Sequence, residues 1–77
     1  MSNHFIIYSK VGCPSCTKAK QLIDMRGDSY SETVIGVDIS REEFMETFPD
    51  IKSVPYIIEQ GAMPIGGFEK LVEWYDQ

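Results

Sequence analysis

The sequence predicts an α/β fold, a four-stranded mixed sheet flanked by three helices in the order βαβαββα. Three observations lead there. The chain opens with an apolar run, a helical pattern and a second apolar run, the spacing of a βαβ unit whose strands run parallel. A second helix is announced by Ser40 and Glu43 in S-x-x-E spacing. The last third reads as strand, turn, short strand and helix, which completes the sheet and makes it mixed.

Each element has its own local reason. Phe5-Ile6-Ile7-Tyr8 is a continuous apolar and β-branched run, the pattern of a strand buried on both faces. Lys10-Val11-Gly12 is a short loop, and Pro14 suits the first helical position, where its missing N–H leaves no bond unmade. That helix runs to Arg26, buries Ala19, Leu22 and Ile23, and stops at Gly27. Thr33 to Val37 is the second strand. Ser40 and Glu43 then cap the second helix, with Ile39 and Phe44 as a hydrophobic staple; Phe44, Met45 and Phe48 share a face and Pro49 ends the element. Tyr56-Ile57-Ile58 forms the third strand, followed by a turn around Gly61. Met63-Pro64-Ile65 forms a short fourth strand, placed at the sheet edge because Pro64 donates no ladder bond. The last helix follows Gly66-Gly67 and buries Phe68, Leu71, Val72 and Tyr75, spaced i, i+3, i+4, i+7. Tyr8, Met45, Met63, Trp74 and Tyr75 read as core or core edge, and His4 as an exposed residue at a strand start. This order of elements is the thioredoxin-like architecture.

The 77 residues suffice for one domain, 1–77, and at this size burial is marginal. Hydrophobic residues make up 43% and charged residues 25%, an ordinary soluble composition. No apolar run approaches the ~20 residues that span a bilayer, and the opening Met1-Ser2-Asn3-His4 lacks a signal-peptide pattern, so the expectation is a cytoplasmic protein. A net charge of −5 argues against a nucleic-acid partner. The charge is also uneven. Lys10, Lys18 and Lys20 precede the first carboxylate, and all 12 acidic residues lie from Asp24 onward. Both cysteines fall in the basic segment.

Cys13 and Cys16 lie three apart at the start of the first helix. A disulfide closing so small a loop restricts the unfolded chain little, so a purely structural bridge is a poor reading. Two cysteines and one histidine do not complete a four-ligand zinc site in one chain, and no metal is expected. A redox pair fits better. A helix N-terminus presents unpaired N–H groups and a dipole that favour a thiolate, and Lys10 adds positive charge nearby. Cys13 sits at the N-cap and Cys16 one turn deeper, at a separation close to the ~5–6 Å between Cα atoms that a disulfide prefers. Cys13 is therefore expected to attack a target disulfide, and Cys16 to resolve the mixed disulfide.

Three motifs in order carry a resemblance over nearly the whole chain: Tyr8-Ser9-Lys10 leading into Cys13-Pro14-Ser15-Cys16, then Ser53-Val54-Pro55, then Ile65-Gly66-Gly67-Phe68-Glu69. The sequence resembles the small dithiol glutaredoxins. That resemblance implies a glutathione-dependent thiol–disulfide oxidoreductase that reduces protein disulfides and glutathione mixed disulfides. No tightly bound cofactor is implied, with glutathione as co-substrate. It implies that Pro55 is a cis proline facing the cysteines, and that Val54 offers its backbone to an extended substrate. It implies that Gly67 and Phe68 hold the γ-glutamyl end of glutathione, and that Lys10 and Lys52 contact its glycine carboxylate. Ser15 departs from the family, which often has an aromatic residue there. Ribonucleotide reductase is a partner implied by the family, and the expected state is a monomer without nucleic-acid or membrane partners. Two alternatives stand beside this reading: a redoxin reduced by thioredoxin reductase, and a carrier in which two chains bridge a [2Fe–2S] cluster through Cys13 and glutathione.

Overall fold

The computed structural model describes residues 3–51, 53–61 and 64–76. Among these residues the chain forms β1 (His4–Ser9), α1 (Pro14–Met25), β2 (Ser29–Val34), α2 (Arg41–Thr47), β3 (Tyr56–Glu59), β4 (Pro64–Gly66) and α3 (Phe68–Asp76). The sheet order is β2-β1-β3-β4, with β1 and β2 parallel and the other two pairings antiparallel. This is the expected thioredoxin-like fold, and Pro64 does open an edge strand. Met63 lies outside the described residues.

Alternation along β1 decides what covers each face of the sheet. Phe5, Ile7 and Ser9 are buried, while the intervening residues are only half-buried. Phe5 and Ile7 join Ala19 and Ile23 of α1, Ile57 of β3 and Leu71 of α3 in one core cluster, with Leu22, Tyr30, Ile65, Phe68, Trp74 and Tyr75 packed around it. Tyr8 points the other way. There it packs with Tyr56, its cross-strand partner, and with Phe44 and Phe48 from α2, at ring-centroid distances of 5.2 to 6.3 Å.

The helix boundaries follow the local chemistry. The Ser40 hydroxyl accepts the Glu43 N–H at 3.0 Å while the Glu43 carboxylate accepts the Ser40 N–H at 3.4 Å, so both halves of the capping box form. At the end of α1, Gly27 takes φ +77°, and the amides of Gly27 and Asp28 bond back to the carbonyls of Asp24 and Ile23, both at 3.1 Å. That is a Schellman stop, open to glycine because a Cβ resists this backbone.

Four expectations need correction. The second strand is Ser29–Val34 rather than 33–37: the Schellman turn delivers the chain straight onto β1, and backbone pairing outweighs the apolar run, leaving Val37 71% exposed. Met45 is 54% exposed and Val72 36% exposed, because α2 and α3 each press a narrower stripe onto the sheet than the periodicity suggests. His4 is half-buried rather than exposed, its two ring nitrogens 2.8 and 2.9 Å from the hydroxyls of Ser29 and Ser31.

Candidate active site

Both cysteines are free thiols at the β1–α1 junction. Cys13 is the N-cap of α1, with extended backbone at φ −101° and ψ 106°, and Pro14 takes the first helical position. An N-cap side chain normally offers an oxygen to the free amides of the first turn. Here a sulfur does so, and the Cys16 N–H donates to Cys13 Sγ at 3.3 Å. Cys13 is partly exposed, whereas Cys16 is 2% exposed. Burial, followed by the side-chain hydrogen bond that the Cys16 thiol makes to Cys13, pushes the Cys16 thiol up to about 12. The two thiols are thus chemically distinct: one reachable and hydrogen-bonded by the helix, the other buried and protonated.

Across from Cys13 lies the loop before β3. Its Val54–Pro55 peptide bond is cis, as the resemblance implied. The Cys13 thiol approaches the Val54 carbonyl at 3.9 Å. Pro55 is buried, and a Cβ built on Gly67 would stand 3.7 Å from the Pro55 carbonyl, so the start of α3 abuts the same loop. Cys13, Val54, Pro55 and Gly67 are therefore neighbours drawn from three separate stretches of sequence. Phe68 opens α3, and its side chain packs against the core. Lys52 lies outside the described residues.

Among the described residues two open clefts flank the site, of about 530 and 570 Å³. The first is bounded by Ser9, Gly12, Cys13, Cys16, Lys20 and Glu32. The second runs past Val54 and Ser53 over the apolar side chains of Phe44 and Ile51, with Lys10 and Arg41 on its walls. Lys10 belongs to both. Among the described residues no three His, Cys, Asp or Glu side chains gather to hold a metal ion. No helix there is long and apolar enough to cross a membrane.

Two features escape sequence reasoning. Arg41 reaches the second cleft from the first position of α2, where it reads as an ordinary solvated charge. Glu32 lies in the first cleft, accepting from the Ser9 hydroxyl at 2.6 Å and from the Lys20 ammonium at 2.9 Å. A strand placed at 33–37 leaves Glu32 outside the sheet, so its link to Ser9 stays hidden.

A family model described as glutaredoxin matches residues 5–61. Glutaredoxin 1 of Rickettsia conorii is 31% identical over 70 residues, which cover 88% of this chain and 68% of that protein. The hybrid peroxiredoxin hyPrx5 of Haemophilus influenzae is 33% identical over 69 residues, 90% of this chain, but the chain spans only 28% of that relative's length. Among solved structures, Glutaredoxin 1 from Francisella tularensis complexed with cacodylate superposes with a TM-score of 0.82 at 29% identity, covering 97% of this chain and 94% of that one. A buckwheat glutaredoxin–glutathione complex superposes with a TM-score of 0.68 at 22% identity, over 96% of this chain and 69% of that one, a likeness of fold.

Proposed function

The chain belongs to the glutaredoxin family of thiol–disulfide oxidoreductases, and from that premise we propose that it reduces protein disulfides and glutathione mixed disulfides at the expense of glutathione, through Cys13 and Cys16. The observation that carries this reading is the asymmetry of the two thiols: Cys13 partly exposed and bonded to a helix N–H, Cys16 buried one turn behind it. Cys13 attacks the target disulfide, and the electron pair of the broken S–S bond leaves on the target's first sulfur. Cys16 then attacks Cys13, closing the intramolecular disulfide and releasing the second target sulfur as a thiolate. Glutathione reopens that disulfide in two further exchanges.

Glutathione is proposed to lie along the second cleft and to extend past Val54 to the start of α3. Val54 offers backbone groups to an extended peptide, Pro55 sets the turn of that loop, and Gly67 with the backbone of Phe68 receives the γ-glutamyl carboxylate at the start of α3. Lys10 faces the glycine carboxylate, joined by Arg41 on the cleft wall and, from the sequence motif, by Lys52. Support for glutathione as co-substrate comes from the family and from the buckwheat complex of the same fold. Ribonucleotide reductase is a proposed protein target, and a cytoplasmic location and a monomeric state are proposed with it.

The test compares electron donors. Reduction of a glutathione mixed disulfide by the whole chain is followed with glutathione and glutathione reductase, and separately with thioredoxin reductase. The expected outcome is turnover with glutathione and none with thioredoxin reductase alone. Turnover with thioredoxin reductase only would make the protein a redoxin of the other kind.

A further inference from the structure

The two-thiol reaction places a demand on Cys16 that its surroundings oppose. A thiol attacks as the thiolate, yet Cys16 is 2% exposed and its burial favours the protonated form. Three side chains that have no part in the proposed function stand in the same cleft. Lys20 follows Cys16 by four residues on α1, so the two share a helix face one turn apart, and both line the cleft of about 530 Å³. Lys20 is not a loose surface lysine. Its ammonium donates to Glu32 Oε2 at 2.9 Å, and the Ser9 hydroxyl donates to the same oxygen at 2.6 Å.

That arrangement is a tether. Ser9 is 1% exposed, on the buried face of β1, and Glu32 is paired on β2 with Ile7, two positions before Ser9, so two paired strands fix the carboxylate that fixes the lysine. A buried hydroxyl needs a partner, and Glu32 supplies it. Ser9 first and Lys20 second hold the Glu32 carboxyl below its usual range, while Glu32 holds the Lys20 ammonium above its own. Both groups therefore stay charged. Of the two, the ammonium is the one that bears on Cys16, favouring its thiolate as the Lys10 backbone does more strongly.

We propose that Lys20, tethered by Glu32 and Ser9, is a positioning residue for the resolving step: it holds a fixed cation beside Cys16 that stabilises the thiolate as it attacks the mixed disulfide on Cys13. The proposal rests on the dithiol reading above. In the step, Cys16 gives its proton to water in the open cleft, and its electron pair forms the Cys13–Cys16 bond. The bond from Cys13 to the target sulfur breaks, and the target leaves as a thiolate, reduced, while the cysteine pair is oxidised. The described groups that bear on the Cys16 thiol are Cys13 and the Lys10 backbone from the loop, Lys20 from its own helix and, through Lys20, Glu32 from β2. Removing the cation raises the Cys16 thiol further. Each unit of that rise cuts the thiolate fraction tenfold but makes the thiolate about threefold more nucleophilic, a net loss of about threefold per unit.

The experiment mixes the reduced whole chain rapidly with dithiobis(nitrobenzoate), whose coloured thiolate leaves twice. The first release, proportional to probe concentration, reports attack by Cys13; the second, independent of it, reports resolution by Cys16. Lys20→Met is expected to slow the second phase by up to about threefold at neutral pH, to displace its pH profile upward, and to leave the first phase unchanged. Lys20→Gln, which keeps a donor for Glu32 and so guards the fold, is expected to do the same, and Lys20→Arg to restore most of the rate. A second phase unchanged in both neutral variants overturns the proposal, as does an equal slowing of both phases. A wild type with no probe-independent phase overturns the dithiol reading itself and the lysine's role with it.

Discussion

At Cys13 and Cys16, three positions of sequence separate two different chemistries. The Cys13 sulfur replaces the oxygen of an ordinary N-cap and takes the Cys16 N–H at 3.3 Å. Cys16 points into the protein at 2% exposure, where desolvation pushes its thiol up to about 12. Limiting iodoacetamide at neutral pH is therefore expected to label Cys13, with Cys16 reacting at least ~10-fold more slowly in the folded state. Peptide mass analysis reads this directly; equal labelling of the two would contradict the asymmetry. This contrast was legible in the sequence, because Pro14 fixes the helix start and the start fixes which cysteine caps it. Lys20 and Glu32 were not legible as partners. Twelve positions of chain separate them, and only the β1–β2 register brings the carboxylate over the helix.

Between elements, the end of the molecule opposite the cysteines is held by one carboxylate. Asp28, just after α1, accepts from the Asn3 N–H at 2.8 Å and from the Tyr75 hydroxyl of α3 at 2.6 Å, and the Arg26 guanidinium lies 5.0 Å over the Tyr75 ring. Tyr75 first, then Asn3, holds the Asp28 carboxyl below its usual range, while burial and then Asp28 push the Tyr75 phenol up. A depressed carboxyl contributes stability above its unfolded value, about 3.9, and loses it as pH falls through the folded value. A raised phenol contributes below its unfolded value, about 10, and loses it as pH rises through the folded value. Tyr75→Phe is accordingly expected to destabilise the protein by about 1 kcal/mol between roughly pH 5 and 9, with the difference from wild type shrinking below about pH 4. Urea unfolding at several pH values tests this, and a pH-independent difference would contradict it. The misplaced second strand belongs to the same scale. Ser29 to Glu32 carry little apolar signal, since an edge strand buries one face at most, and Thr33 to Val37 drew the reading toward themselves. The capping box at Ser40, by contrast, is local chemistry and was legible outright.

Over the whole molecule, charge and burial are arranged around the site. Lys10 and Lys18 belong to the acid-free opening segment, Lys20 of that segment is paired with Glu32, and Arg41 joins Lys10 on the second cleft although it is remote in sequence. Such a local field attracts an anionic substrate against a net charge of −5. Reaction with glutathione mixed disulfides is therefore expected to slow severalfold between ~0.01 and ~0.3 M salt, and reaction with an uncharged hydroxyethyl disulfide to change little; equal salt dependence would remove the steering role. The architecture was readable because its signals are short-range: apolar runs, caps and prolines each specify one element, and the βαβ rule orders them. The clefts were not, since each joins a strand end, a helix start and a loop that only the completed sheet assembles. The central claim is the division of labour between the two thiols. It is tested most directly by following deglutathionylation and protein-disulfide reduction in wild type, Cys13→Ser and Cys16→Ser. The account predicts that Cys13→Ser loses both activities, while Cys16→Ser keeps deglutathionylation and loses protein-disulfide reduction; activity surviving in Cys13→Ser would contradict it.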